Sequence, residues 1–290
     1  MTQEAAADPP VRVFVGADRS QLIGVKVLEH SIKRHTSAAV ELTPMVDLPL
    51  PQPDDPRHRA RTGFSFSRFE IPKLAGYRGR ALYLDADMLV FRDIMDLWRM
   101  PFGEAKVICQ DEVPKPSAKL KTFWKKPKKR SRQTSVMVLD CGRLDWNSAD
   151  IIAGLGKAYS YEQLMQELCI LKETDISHRL PVIWNSLEHF DSATALLHYT
   201  DMQTQPWVSP LNKNGWLWRE EVRLMLENGS ITLDDLKREE TLGYLRPSFL
   251  EELKQAKSET ISGQLAQALD RIDRAAGFVP HATLRHRLSS

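Results

Sequence analysis

The chain has 290 residues, 42% hydrophobic and 27% charged, an ordinary globular composition with length for one large domain or two small ones. A formal net charge of +2 gives no overall pull toward a polyanion, so no nucleic-acid partner is expected. Cys109, Cys141 and Cys169 are an odd, sparse set without metal-ligand spacing, which argues against a disulfide framework or a zinc site. Each lies in or beside an apolar run and reads as a buried thiol in a reducing compartment. The N-terminal stretch has no basic or apolar leader region, and no segment is long and apolar enough to span a bilayer, so a cytoplasmic location is expected.

In chain order, residues 1–10 read as a disordered tail and residues 11–16 as the first strand, which delivers Ala17 and Asp18 to its carboxyl end. Leu22, Ile23, Val25, Val27, Leu28 and Ile32 predict a helix returning over the sheet, the first half of a βαβ unit. Asp18 reads equally as the N-cap of that helix or as a ligand contact. Residues 41–46 predict a second strand and residues 48–61 a surface loop. Residues 64–75 predict a helix that Pro72 should break near its end.

The next stretch, Arg80-Ala-Leu-Tyr-Leu-Asp-Ala-Asp-Met-Leu-Val-Phe91, is the one around which the rest is organised. Its apolar run reads as a buried strand, and period two puts Asp85 and Asp87 on one face. Two buried carboxylates side by side are costly unless a cation compensates them or one is protonated. A divalent metal is the simplest compensation, and hard oxygen ligands favour Mn²⁺ or Mg²⁺. Carboxyl ends of strands are also where open α/β sheets bind ligands.

Residues 107–110 predict another short strand. Between Lys115 and Arg132 the chain then carries nine basic residues and no acidic ones, with Phe123 and Trp124 embedded. Such a run reads as a solvated loop; as a functional element it suits a lid over a diphosphate, and contact with anionic lipid or nucleic acid are the competing uses. Residues 133–140 predict a strand, residues 161–171 an amphipathic helix, and residues 194–199 a final strand carrying His198. Residues 216–226 predict a packed helix, and residues 233–276 a charged helical region interrupted at Pro247. The divisions expected are the tail at 1–10, an α/β domain at 11–210 and a helical appendage at 211–290.

Alone, an Asp-x-Asp is weak evidence. Its company is Phe64-Ser-Phe-Ser-Arg-Phe-Glu-Ile-Pro-Lys-Leu74 before it, Asp93-Ile-Met-Asp-Leu-Trp98 after it, and His198-Tyr-Thr-Asp-Met-Gln-Thr-Gln-Pro-Trp207 later. In that order, over residues 11–207, these segments resemble glycosyltransferase family 8, the retaining nucleotide-sugar transferases that include glycogenin and bacterial lipopolysaccharide galactosyl- and glucosyltransferases. The resemblance implies a GT-A fold, an α/β Rossmann-like mixed sheet flanked by helices, here with a C-terminal helical extension.

It also implies roles. Ala17 and Asp18 would form the turn that holds uridine, with Gln21 where the family often stacks a Tyr. Arg68 would reach the nucleotide sugar, a task suited to a guanidinium. Asp85 and Ala86 would face the donor, and His198 would complete a metal site with Asp85 and Asp87. Gln133 and Ser135 stand where the family's Asn-Ser-Gly-Val segment lines the sugar pocket. Gln163 stands where an Asp-Gln pair lies under the anomeric centre, with Asp175 and Glu188 as other candidates for that face. Leu180-Pro-Val-Ile-Trp-Asn185 matches a structural element, and Gln205 replaces the Lys of the family's His-Tyr-…-Lys-Pro-Trp signature. The partners implied are a UDP-sugar donor and a glycan, lipid-linked or protein acceptor.

The chemistry expected is metal-dependent transfer of a hexose with retention. Two other classes remain to be weighed. A phosphatase of the haloacid dehalogenase type also uses Asp-x-Asp and Mg²⁺, but at the first strand of its domain. A non-catalytic scaffold would use the basic stretch for salt-sensitive binding, including contact with a membrane surface through residues 115–132, and be indifferent to Asp85.

Overall fold

Residues 9–59, 65–111, 132–256 and 260–282 are described by the computed structural model of the protein. The basic stretch 115–132 therefore lies outside the described residues except for Arg132, as does most of the tail. Among the described residues the strands are β1 (Val11–Gly16), β2 (Val40–Met45), β3 (Arg80–Asp85), β4 (Met88–Val90), β5 (Val107–Asp111), β6 (Arg132–Asp140), β7 (Ile176–Ser177), β8 (Ser186–Leu187) and β9 (Leu196–His198). They form a six-stranded sheet in the order β2-β1-β3-β6-β5-β7 and a three-stranded sheet in the order β4-β9-β8. In the larger sheet β1 runs parallel to β2 and β3, while β6 is antiparallel to both β3 and β5, so the sheet is mixed.

Period two sorts the strand side chains between the sheet's faces. Phe14, Tyr83, Val107, Met137 and Leu139 pack with Phe66, Phe69, Trp146 and Leu164 in one cluster. Val13, Val15, Leu82, Leu84, Val136 and Val138 pack with Val25, Leu28 and Ile32 of helix α1 (Leu22–His35) in another. Burial on both faces is why these strands read as nearly continuous apolar runs. Pro44 is tolerated in β2 because that strand is at the sheet edge and needs no ladder bond on its outer side.

Helices α2 (Ser148–Gly154) and α3 (Tyr161–Glu167) cover the first face, and α4 (Gly215–Glu227), α5 (Leu233–Thr241), α6 (Phe249–Gln255) and α7 (Gly263–Ala275) follow the last strand. The C-terminal helices share a core with the smaller sheet: Trp218, Val222, Met225 and Phe249 pack with Leu89, Leu197 and Trp207, and with Ile23 and Val27 of α1.

The structure differs from the sequence reading at several points. The run from Arg80 to Phe91 is two strands, because the chain leaves the larger sheet after Asp85 and joins the smaller at Met88. The helix expected over 64–75 is a tight 3-10 turn, Ser67–Glu70, followed by a single α turn, Ile71–Leu74. Pro72 stands at the start of that turn, where its missing N–H costs nothing. Helix α3 stops at Glu167 because Leu168 adopts a left-handed conformation, φ 48°. Helix α2, begun by Asn147 accepting from the Ala149 and Asp150 N–H groups, is absent from the reading above. Cys109 and Cys141 are buried, with burial pushing their thiols up to about 12 and about 11, but Cys169 is exposed.

Candidate metal centre

The strand registers bring the site together. Gly16 pairs with Asp85 across β1 and β3, and Met88 pairs with His198 across β4 and β9. Asp85-Ala86-Asp87 is thus the crossing between the two sheets, and the Tyr199 N–H donates to the Asp87 carbonyl at 2.8 Å, tying β9 to it. Helix α1 presses on this crossing at Gly24, where a Cβ would lie 3.0 Å from the Ala86 carbonyl oxygen and 3.5 Å from Trp207.

Asp85, Asp87 and His198 are buried, and one ligand atom from each falls within 4.8 Å of the others. The second atom of each is engaged by the protein. Asp85 Oδ1 accepts from the Tyr83 hydroxyl at 2.5 Å and has Arg68 Nη2 at 3.5 Å, leaving Oδ2 to face His198 Nε2 at 4.0 Å. Asp87 Oδ2 accepts from Gln205 Nε2 at 2.7 Å. Its Oδ1 is 3.1 Å from His198 Nε2 and has no hydrogen-bond donor among the described residues. Asn185 donates through Nδ2 to Ser135 Oγ at 3.1 Å, which turns its Oδ1 to His198 Nδ1 at 3.0 Å. Nδ1 therefore carries a proton and Nε2 presents its lone pair when the ring is neutral.

The protonation states follow from this packing. Burial pushes the Asp85 carboxyl up, Arg68 opposes it and Asp87 reinforces it, so the group is raised above its ordinary value. Burial pulls the His198 imidazole down, but the charges of Asp87 and Asp85 outweigh it and the ring is raised. The Tyr83 hydroxyl is pushed well above its ordinary value, by burial first, and remains a neutral donor. Two carboxylate oxygens and one imidazole nitrogen aimed at one point, with Asp87 Oδ1 unsatisfied, fit a divalent cation.

Arg68 is buried beside the cluster: its guanidinium lies over the Tyr83 ring at 4.5 Å and donates to the Ser65 carbonyl, the Thr134 carbonyl and Thr134 Oγ1. Gln205 touches Asp87 as described and also donates to the Tyr199 carbonyl at 3.0 Å, while Ser135 reaches His198 only through Asn185. Ala17 and Ala86 are buried at the carboxyl ends of β1 and β3. Gln133 is half-buried on β6 in register with Gln110.

Asp18 and Gln163 are engaged as caps. Asp18 accepts from the N–H and hydroxyl of Ser20 while Gln21 Oε1 accepts from the Asp18 N–H, so the position where the family often stacks a ring holds a capping residue. Gln163 Oε1 accepts from the Ser160 N–H at 2.8 Å, closing the box that begins α3. Asp175 pairs with Lys106 at 3.3 Å, and Glu188 accepts from the Asp201 N–H at 2.9 Å while contributing to the field that raises His198.

Two residues at the site, Tyr83 and Asn185, escaped the sequence reading, as did one buried amide elsewhere on the sheet. Tyr83 was legible in principle, since period two puts it on the face of Asp85, and Gly16 makes room for it: a Cβ there would lie 2.4 Å from the phenolic oxygen. Asn185 was read as structural, yet it sets the His198 tautomer. Gln110, buried at the end of β5, has an Oε1 with no partner among the described residues, and nothing local signals it.

Residues 14–147 match the family model described as glycosyl transferase family 8. Among curated proteins the chain is similar to Protein CDI of Arabidopsis thaliana, 27% identical over 222 residues that cover 73% of this chain and 82% of that protein. Among solved structures it is similar to an active-site mutant of LgtC, with a TM-score of 0.50 and 12% identity over 74% of this chain and 96% of that one, which is a likeness of fold. The apo structure of the bifunctional glycosyltransferase WbbM matches at a TM-score of 0.49 and 14% identity over 76% of this chain, which spans 50% of that protein's length. The fold is the GT-A arrangement, a mixed sheet flanked by helices with further helices at the C-terminal end. The phosphatase reading fails on it: the Asp-x-Asp ends the third strand and faces a histidine from β9.

Proposed function

We propose that the chain, whose residues 14–147 match the family 8 model, is a glycosyltransferase that moves a hexose from a UDP-sugar to an acceptor hydroxyl with retention, in a reaction that depends on Mn²⁺. The observation that carries the reading is the convergence of Asp85 Oδ2, Asp87 Oδ1 and His198 Nε2 in a buried cluster whose other polar atoms are already engaged. These residues would hold the cation. When bound, it supplies Lewis-acid neutralisation of the charge that develops on the departing diphosphate.

The protein's own groups do the rest. Asn185 keeps Nε2 of His198 available as a ligand, and Tyr83 and Arg68 hold Asp85 by its other oxygen. Ala17 and Ala86 bring backbone close to the donor from the ends of β1 and β3. Gln133 and Ser135 orient the sugar from the start of β6, and Gln110, in register with Gln133 and with no partner for its amide oxygen among the described residues, would join them. The acceptor hydroxyl attacks the anomeric carbon on the face from which the diphosphate leaves, and the leaving phosphate oxygen takes its proton. No strongly basic side chain is required, in keeping with the capping roles of Gln163 and Asp18.

Calorimetric titration of UDP with and without Mn²⁺, on wild type and Asp87→Ala, tests the reading. Binding that needs the metal and vanishes in the variant supports it. Equal binding of UDP without metal, or none at all, sinks the donor assignment. Retention is read by NMR of the anomeric proton of the first product formed.

A further inference from the structure

Gln205 lies at the cation site in an unusual way. It is fully buried, donates to Asp87 Oδ2 at 2.7 Å and to the Tyr199 carbonyl at 3.0 Å, and leaves its own Oε1 without a partner among the described residues. An acceptor left unpaired in the interior is unfavourable, so stability alone does not account for an amide here. Both donors go to the two chain segments that meet at the cluster. Turning the amide over would set its oxygen against the Asp87 carboxylate and the Tyr199 carbonyl, so its direction is dictated by its neighbours.

We propose that Gln205 is a positioning residue of the cation site. By holding Oδ2 of Asp87 it aims Oδ1 at the point faced by Asp85 Oδ2 and His198 Nε2, and by donating to the Tyr199 carbonyl as well it fixes that carboxylate relative to the strand that carries His198. The inference rests on the cation reading given under Proposed function.

The test is Mn²⁺ binding to the nucleotide-free, full-length protein, followed by calorimetry and by the Mn²⁺ electron paramagnetic resonance signal. Wild type is expected to bind one Mn²⁺. Gln205→Met, which keeps the volume and loses the donor, should weaken binding by about 10- to 100-fold. Gln205→Leu, which also loses the donor, should weaken it by a similar factor. Thermal midpoints of the metal-free variants provide the control: a purely structural residue would lower the midpoint and leave the Mn²⁺ affinity of the folded protein at the wild-type value. That result in either variant overturns the proposal, and if Gln205→Met does not fold, Gln205→Leu decides it. If wild type binds Mn²⁺ and the variants match it, only this proposal falls; if wild type binds none, the cation reading falls with it.

Discussion

Two buried charge clusters meet at the Gln205-Pro206-Trp207 segment and are built on opposite rules. On the C-terminal side, Glu252 accepts from Arg219 at 2.9 Å and from Arg246, and Arg246 also donates to the Pro206 carbonyl at 3.1 Å and to Ser248 Oγ at 2.5 Å. Ser248 in turn donates its N–H and hydroxyl to the two oxygens of Asp273 at 2.7 and 2.8 Å. Every oxygen of both carboxylates has a donor. On the other side, Asp85 and Asp87 have one oxygen each engaged and the other turned toward the same imidazole. A network that closes on itself holds elements together, here α4 and α6 against the chain around Pro206. One that leaves acceptors facing one another is incomplete until a cation joins it.

The comparison is most sharply broken at Asp87. Asp87→Asn should lower Mn²⁺ affinity and sugar transfer by more than about 100-fold, because it removes a ligand rather than its support. Transfer that survives would show that the open cluster is not the site. The opposite profile is expected for Glu252→Gln. Two buried guanidiniums lose their carboxylate, at a cost of about 3–5 kcal/mol in chemical denaturation, while the folded protein retains its Mn²⁺ affinity.

Gly16→Ala tests the support of Asp85. The added methyl would collide with the Tyr83 hydroxyl, costing about 1–3 kcal/mol of stability and displacing the phenol from the carboxylate. Tyr83→Phe removes only the hydroxyl and should weaken Mn²⁺ about tenfold with a smaller loss of stability. Equal affinities in both variants and wild type would mean that Asp85 needs no orientation.

The smallest effect is the pH dependence. His198 is raised because Asp87 and Asp85 outweigh its burial, so its proton persists to higher pH than an ordinary imidazole would keep it. Mn²⁺ needs the neutral ring, so affinity should be level above the raised pKa and fall by about tenfold per pH unit below it, with a proton released on binding. Stability of the metal-free protein runs the other way: the contribution of this ion pair is full below the unfolded pKa and is lost as pH rises through the folded one. Calorimetry in buffers of different ionisation enthalpy measures the proton, and in Asp87→Asn its release should move to lower pH.

Much of the fold was legible because the core strands are buried on both faces. Residues 11–16, 80–85 and 133–140 announce themselves by uninterrupted apolar runs, and α1 by its spacing. The caps at Asp18 and Ser160 were also within reach of local reading, since each box closes within three residues. Pro72 and Cys169 were not: whether a proline begins or ends a turn, and whether a thiol beside an apolar run is covered, depend on what packs there. Tyr83 stood in a run read as a single strand and Asn185 in a stretch read as structural, and neither was read for its chemistry.

What the sequence by itself determined is the set of local facts: an apolar strand that ends in two carboxylates, a later strand that ends in a histidine, and helices beyond it. Such facts follow from side-chain period and backbone preference, which chain neighbours impose. Only the tertiary structure decided which atom of each residue is free. Gln205 reaches Asp87 across 118 positions and Asn185 reaches His198 from a different element. Hydrogen bonds of that kind leave no trace in local pattern, because each depends on a register between strands and on the break after Asp85 that carries one chain from sheet to sheet.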